Sequence, residues 1–111
     1  MRIVVTGATG SLGSALMYRL RKDNHSVLGL GLSEMKIKSL SDEGFDMKRC
    51  DISDLETLSD CIKDCDIVVH CAAFAAPFGS KKRFFQTNVQ GTKNVFEAVK
   101  NSSVSRVIAI S

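Results

Sequence analysis

Five short apolar runs alternate with segments of helical period along the whole chain, and this limits the fold more than any other feature. The runs are Arg2–Thr6, residues 27–32, 45–50, Ile67–His70 and 107–110. They are apolar in continuous stretches rather than at every second position, which suits strands covered on both faces, as in parallel sheets. Helices are expected at Ser11–Lys22, around 35–40, behind Ser53, and from about 82 to 100. The first would place Leu12, Ala15, Leu16 and Leu20 on one face. The third carries a start signal, because Ser53 and Glu56 are spaced as a capping box ahead of Leu55, Leu58 and Ile62. Strand–helix alternation of this kind predicts an α/β fold: right-handed βαβ units in a doubly wound parallel sheet, strand order 3-2-1-4-5. The last run, 107–110, reads as a buried strand that simply stops.

Composition narrows the function classes. The 111 residues fit one domain, and 44% hydrophobic with 24% charged residues is ordinary globular usage. Net charge is +3, and the densest basic group, Lys81-Lys82-Arg83, is too small for a nucleic-acid footprint. The two longest stretches without Asp, Glu, Lys or Arg, 3–18 and 67–80, are both too short for a membrane span, and the second contains His70 and Pro77. Four cysteines without a secretory signal imply a reducing, cytoplasmic setting. Cys61 and Cys65 have no histidine at zinc-ligand spacing, so no metal site is expected.

The segment Thr6-Gly7-Ala8-Thr9-Gly10-Ser11-Leu12-Gly13 leaves the first strand and opens the first helix. Gly7 would permit the tight turn. Gly10 would leave room for a pyrophosphate over the helix N-terminus, and Gly13 would let helix and sheet approach closely. With a strand before and a helix after, the spacing predicts dinucleotide binding. The acid expected at the end of the second strand for a ribose is missing, since Leu30-Gly31-Leu32-Ser33 stands there and Glu34 comes only afterwards. Nothing at that position repels a 2′-phosphate, and Ser33, Lys36 or Lys38 could hold one. The cofactor reading is therefore NAD or NADP, with NADP mildly favoured.

Further segments sharpen the picture: Cys50-Asp51-Ile52, His70-Cys71-Ala72-Ala73, Asn88-Val89-Gln90-Gly91-Thr92-Lys93-Asn94-Val95, and residues 104–111. With the glycine loop they resemble the N-terminal part of the extended short-chain dehydrogenase/reductase family, the NAD-dependent epimerase/dehydratase group, a Rossmann fold. Within it the chain is most similar to the 3β-hydroxysteroid dehydrogenase-like branch. The resemblance implies that residues 6–13 cradle the pyrophosphate. It implies that Asp51 accepts from the adenine amino group and that Ile52 offers backbone contact and an apolar wall. The alternative reading is that Asp51 merely caps the next helix. Ala72 and Ala73 would let the backbone approach a ribose, or be small core residues, and His70 reads as a satisfied core histidine. Asn88 shares a helical face with Phe85, Gly91, Thr92, Val95 and Val99, and a buried amide needs partners; the family places such an Asn in the active-site hydrogen-bond network. Ser111, or a residue one or two beyond it, falls where the family places its catalytic hydroxyl.

The Tyr-x-x-x-Lys pair that exchanges the proton in this family has one imitation here, Tyr18 and Lys22. Both lie opposite Leu12, Leu16 and Leu20, which places them on a solvated face turned from the cofactor cleft. The true pair is expected beyond residue 111. The compact segment 74–85, with Phe74, Pro77 and Phe78, borders a hydrophobic substrate or folds back on the core. The expected function is an NAD(P)-dependent oxidoreductase exchanging hydride with a secondary alcohol or ketone. A nucleotide-sugar epimerase or dehydratase and a non-catalytic NAD(P)-binding protein are the alternatives. Residues 1–111 would form the N-terminal part of the cofactor domain, cut after its fifth strand, inactive alone and lacking the substrate domain. The expected partners are a small-molecule substrate, with a homodimer allowed and no nucleic acid or membrane segment.

Overall fold

The computed structural model describes residues 1–71 and 89–110. Strands β1 (Arg2–Thr6), β2 (Ser26–Gly31), β3 (Asp46–Arg49), β4 (Ile67–His70) and β5 (Arg106–Ala109) form one sheet in the order β3-β2-β1-β4-β5. Every pairing is parallel, and Thr6 stands level with Leu30 on one side and His70 on the other. The sheet order is the one expected, and β1 and β4 have the expected bounds. Helices α1 (Ser11–Lys22), α2 (Glu34–Asp42), α3 (Leu55–Ile62) and α4 (Gly91–Lys100) connect and cover it.

Two cores lie on opposite faces of the sheet. Val4, Leu30 and Val68 face Leu58, Ile62, Val95 and Ala98 of α3 and α4. Ile3, Val5, Val27 and Val69 face Met17, Leu40 and Phe45 on the α1–α2 side. Successive strand residues alternate between the two, so a continuous apolar run fills both.

Burial departs from expectation at the edges and on α1. Among the described residues β3 and β5 stand at the two edges of the sheet, and each exposes three of its four residues, in β3 the charged Asp46, Lys48 and Arg49. Ile108 in β5, expected in a buried strand, is 44% exposed. On α1 the buried positions are Gly13 and Met17, with Leu16 and Leu20 half-covered, while Leu12 and Ala15 face outward. Met17 takes the central place because Gly29 lies beneath it: a Cβ there would sit 2.8 Å from Met17 Cε and 2.7 Å from Met47 Sδ. The start of α3 shifts by one residue. Asp54, not Ser53, is its N-cap, accepting from the Thr57 N–H at 3.2 Å and the Thr57 hydroxyl at 2.7 Å. Those bonds hold the Asp54 carboxyl below its ordinary pKa.

Candidate cofactor site

The glycine loop crosses the carboxyl end of β1, beside β4, where the strand order reverses. Crevices at such a point are where open α/β sheets bind ligands. The loop's three glycines have three different causes. Gly7 has φ +67°, which side-chain-bearing residues rarely adopt. Gly13 is required by packing: a Cβ there would lie 2.0 Å from the Gly7 carbonyl oxygen. Gly10 is required by neither, because its φ is −79° and an added Cβ would meet only the Gly7 oxygen, at 3.4 Å. The space over Gly10 is open.

The first turn of α1 is bare. Gly10 supplies no side-chain cap, no acidic residue lies in the turn, and the first intrahelical bond is from Ser14 N–H to the Gly10 carbonyl. The N–H groups of Ser11, Leu12 and Gly13 precede it and converge at the positive end of the helix. By contrast α2 and α3 are closed by Ser33 and Asp54, with Glu34 and Glu56 in their first turns. The residues present therefore fit a bound pyrophosphate. Ala8 and Thr9 also anchor the loop. Ala8 is fully buried with its N–H on the Leu30 carbonyl at 2.9 Å, and Thr9 packs on Gly31, where a Cβ would lie 2.5 Å from Thr9 Cγ2. These two residues seat the loop on β2.

A groove of about 250 Å³ opens beside the loop, lined by Thr9, Gly10, Ser11, Ser14, Tyr18, Lys36, Ser39 and Leu40. Of the three residues considered for a 2′-phosphate, only Lys36 lines it. Ser33 caps α2, accepting from the Lys36 N–H at 3.3 Å, and Lys38 pairs with Asp42 at 3.2 Å. Glu34 lies 4.0 Å from Arg49. Tyr18 corrects the expectation that it is turned away from the cleft, since it is among the residues lining this groove. It is no proton-exchanging partner of Lys22, however. Its hydroxyl donates to Glu43, and that bond, more than any other influence, raises the phenol above its ordinary pKa, opposite to what such chemistry needs. Its ring meets Phe45 edge-on at 5.0 Å, and the Arg21 guanidinium lies 3.7 Å from the Phe45 centroid.

Asp51 does not cap α3. Its Oδ1 accepts from the Ser53 N–H at 2.9 Å and the Ser53 hydroxyl at 2.8 Å, a local turn in which Oδ2 takes no part. Ile52 is buried against α4. His70 is, as expected, a satisfied buried histidine. Its Nδ1 lies 2.7 Å from Thr6 Oγ1 and its Nε2 3.0 Å from Thr92 Oγ1, and burial lowers its pKa. Thr6 Oγ1 also accepts from the Cys71 N–H at 3.1 Å, so the histidine ties the residue before the glycine loop to β4 and α4. Two further features escaped the sequence reading: this Thr6–His70–Thr92 chain, and Asn94. Asn94, not an apolar residue, fills the seam of α4 between Gly91, Val95 and Ala98, where Thr92 and Val99 are only half-covered. Its position three residues after Gly91 was the available signal. Ala72, Ala73, Asn88 and Ser111, the segment 74–85 and the Lys81–Arg83 group lie outside the described residues.

This sheet order, with a phosphate-ready glycine loop at its switch point, defines a Rossmann-type nucleotide-binding domain. The model of the NAD dependent epimerase/dehydratase family matches residues 3–111, and the chain belongs to that family. The sterol-4-alpha-carboxylate 3-dehydrogenase, decarboxylating, of Dictyostelium discoideum is 32% identical over 106 residues, which are 95% of this chain and 32% of that protein. A short-chain dehydrogenase/reductase superfamily protein from Agrobacterium tumefaciens, solved with bound NAD, superimposes with TM-score 0.84 at 29% identity, covering 98% of this chain and 32% of that one. Yeast methylglyoxal/isovaleraldehyde reductase, solved with NADPH, gives TM-score 0.82 at 27% identity, covering 98% and 36%. The chain thus spans about a third of the length of these relatives. Among the described residues no helix is long and apolar enough to cross a membrane.

Proposed function

We propose that residues 1–111 form the cofactor-binding part of a cytoplasmic NAD(P)-dependent oxidoreductase acting on a secondary alcohol or ketone, of the hydroxysteroid-dehydrogenase-like kind. The observation that carries this reading is the bare first turn of α1 beneath an open Gly10. Three N–H groups would hold the pyrophosphate there, in a family whose solved members include NAD and NADPH complexes. Bound nicotinamide supplies the hydride exchange. Asp51 accepts a hydrogen bond from the adenine amino group on Oδ2, the oxygen left over from its turn with Ser53. Ala72 and Ala73 flank the ribose, Asn88 belongs to the active-site network, and Ser111 or a close successor holds the substrate oxygen. The dehydrogenase among the relatives favours this reading over sugar epimerisation.

The same site favours NADP. Lys36, Ser11, Ser14 and Ser39 line the groove beside Gly10, and among the described residues no Asp or Glu does. The test is a titration of the chain with NADP and with NAD. NADP is expected to bind more tightly, and Lys36→Ala to weaken NADP about tenfold, the loss of roughly one charge-assisted hydrogen bond, while leaving NAD unchanged. Equal affinity in the unaltered chain would remove the preference, and no binding of either would remove the function.

A further inference from the structure

The stretch between β3 and α3 carries the adenine-facing residue in the reading above, yet most of its hydrogen bonds are local. The Asp51 carbonyl accepts from the Asp54 N–H at 2.9 Å, and the Asp51 carboxylate is turned by Ser53. Both bonds span three residues or fewer, so they shape the turn without fixing where it stands relative to the sheet. Two bonds reach beyond it: the Cys50 N–H donates to the Gly31 carbonyl at 3.0 Å, pinning the start of the stretch to β2, and past Asp51 Asn94 Nδ2, on α4, donates to the Ile52 carbonyl at 2.9 Å, 42 residues away in sequence. Asn94 is 7% exposed, and its Oδ1 accepts from Gln90 Nε2 at 3.4 Å, which orients the amide with its donor towards Ile52. Gly91, one turn before it, brings the helix so near that an added Cβ would lie 2.4 Å from Ile52 Cδ1. Glycine and amide thus grip one residue, side chain and carbonyl together.

We propose that Asn94 is a positioning residue for adenine recognition. By holding the Ile52 carbonyl it fixes the Ile52–Ser53 peptide, whose N–H binds Asp51 Oδ1, and with it the direction of the Asp51 carboxylate. The proposal rests on the reading of Asp51 as the acceptor of the adenine amino group. A carbonyl this deeply placed needs a donor whatever the function, so the distinguishing observation is base selectivity rather than stability. If Asn94 only stabilises the fold, its loss weakens every dinucleotide alike. If it aims Asp51, its loss weakens binding of an adenine and spares that of a base without the amino group.

The experiment compares dissociation constants for NAD and nicotinamide hypoxanthine dinucleotide, in which the amino group is replaced by oxygen, on the full chain and its variants. The unaltered chain prefers NAD, and Asn94→Ala lowers that preference about tenfold, the equivalent of one aimed hydrogen bond, while its affinity for the hypoxanthine form stays within about twofold. An unchanged ratio in folded Asn94→Ala overturns the positioning role. Asp51→Ala tests the underlying reading separately: if it keeps the ratio of the unaltered chain, Asp51 is not the adenine acceptor. Should Asn94→Ala not fold, the Asn94 side-chain amide resonance of the unaltered chain is followed instead. It shifts on saturation with AMP, and an unmoved resonance overturns the proposal.

Discussion

Gly10 and Gly13 stand three residues apart in one loop, yet a methyl group added to each should have opposite consequences. At Gly13 the new Cβ would lie 2.0 Å from the Gly7 oxygen, 2.7 Å from the Gly7 carbonyl carbon and 2.9 Å from Ala8 Cα. All three neighbours are backbone, and Gly7 holds a positive φ, so the loop cannot yield cheaply. The first turn of α1 must lift by about an ångström, loosening Met17 from its fully buried seat. Overpacking of this kind costs about 1–3 kcal/mol, and the better helix propensity of alanine returns up to about 1 kcal/mol. Clashes this short with backbone put the cost at the upper end, so the net loss is about 2 kcal/mol, or roughly 8–16 °C in Tm for a domain of this size. At Gly10 the methyl meets one atom at 3.4 Å, with the backbone already in an ordinary extended conformation. Reduced freedom of the unfolded chain and the weaker N-cap character of alanine offset one another, so stability changes by less than about 1 kcal/mol. Binding should change instead, because the methyl would enter the open space over the bare helix end proposed to take the pyrophosphate, and NADP affinity is expected to fall about tenfold or more. Thermal melts and a fluorescence titration of NADPH on Gly10→Ala and Gly13→Ala read both effects. Undiminished binding in Gly10→Ala refutes the role given to the loop, and an unchanged Tm in Gly13→Ala refutes the close-packing argument.

Other outcomes are expected from the same structure. Burial lowers the His70 pKa from its ordinary 6.5, so in the window below 6.5 the unfolded chain takes up a proton that the folded chain resists. Stability is therefore full above 6.5 and falls as pH drops through it, levelling off below the folded value; an identical Tm-against-pH slope in His70→Gln would contradict this. Burial first, and the neighbouring Cys61 thiol second, push Cys50 up to about 12, so iodoacetamide at mildly alkaline pH should label Cys50 only after unfolding. Mass spectrometry of the folded chain showing rapid Cys50 labelling would count against that packing. Lys38→Ala should leave the NADP-to-NAD affinity ratio unchanged, because Lys38 is paired with Asp42 away from the groove. A fall equal to that of Lys36→Ala would show that the two lysines act together.

What the sequence makes legible here is what neighbours along the chain determine. The strand runs, the bounds of α1 and the three glycines announce themselves within a few residues, and strand–helix alternation with a handedness rule leaves few sheet orders. The capping box at Ser53 misses by a single residue, because Asp54 offers the same chemistry with a carboxylate and the competition between them is settled by geometry. Exposure is a different matter. Residues 107–110 are all apolar, yet they stand at an edge of the sheet with Ile108 44% exposed, whereas in β3 the exposed positions are the charged Asp46, Lys48 and Arg49.

The phase of a helix is legible only in part, for the same reason. On α4 the apolar residues fit two overlapping stripes, one through Thr92, Val95 and Val99 and one through Gly91, Asn94, Val95 and Ala98. Hydrophobicity favours the first, since the second carries an amide. The second is buried because Ile52 presents both a side chain that only a glycine can admit and a carbonyl that needs a donor. On α1 the same contest is settled in favour of Met17 by the missing Cβ of Gly29 on a strand formed later in the chain. In both helices the deciding partner is a residue with an unusual need, distant in sequence. Neither need leaves a periodic trace on the helix that meets it. A buried polar residue one turn from a helical glycine is therefore better evidence of what the helix faces than the apolar stripe beside it. On α4 that residue is Asn94, and the element it points to is the turn carrying Asp51.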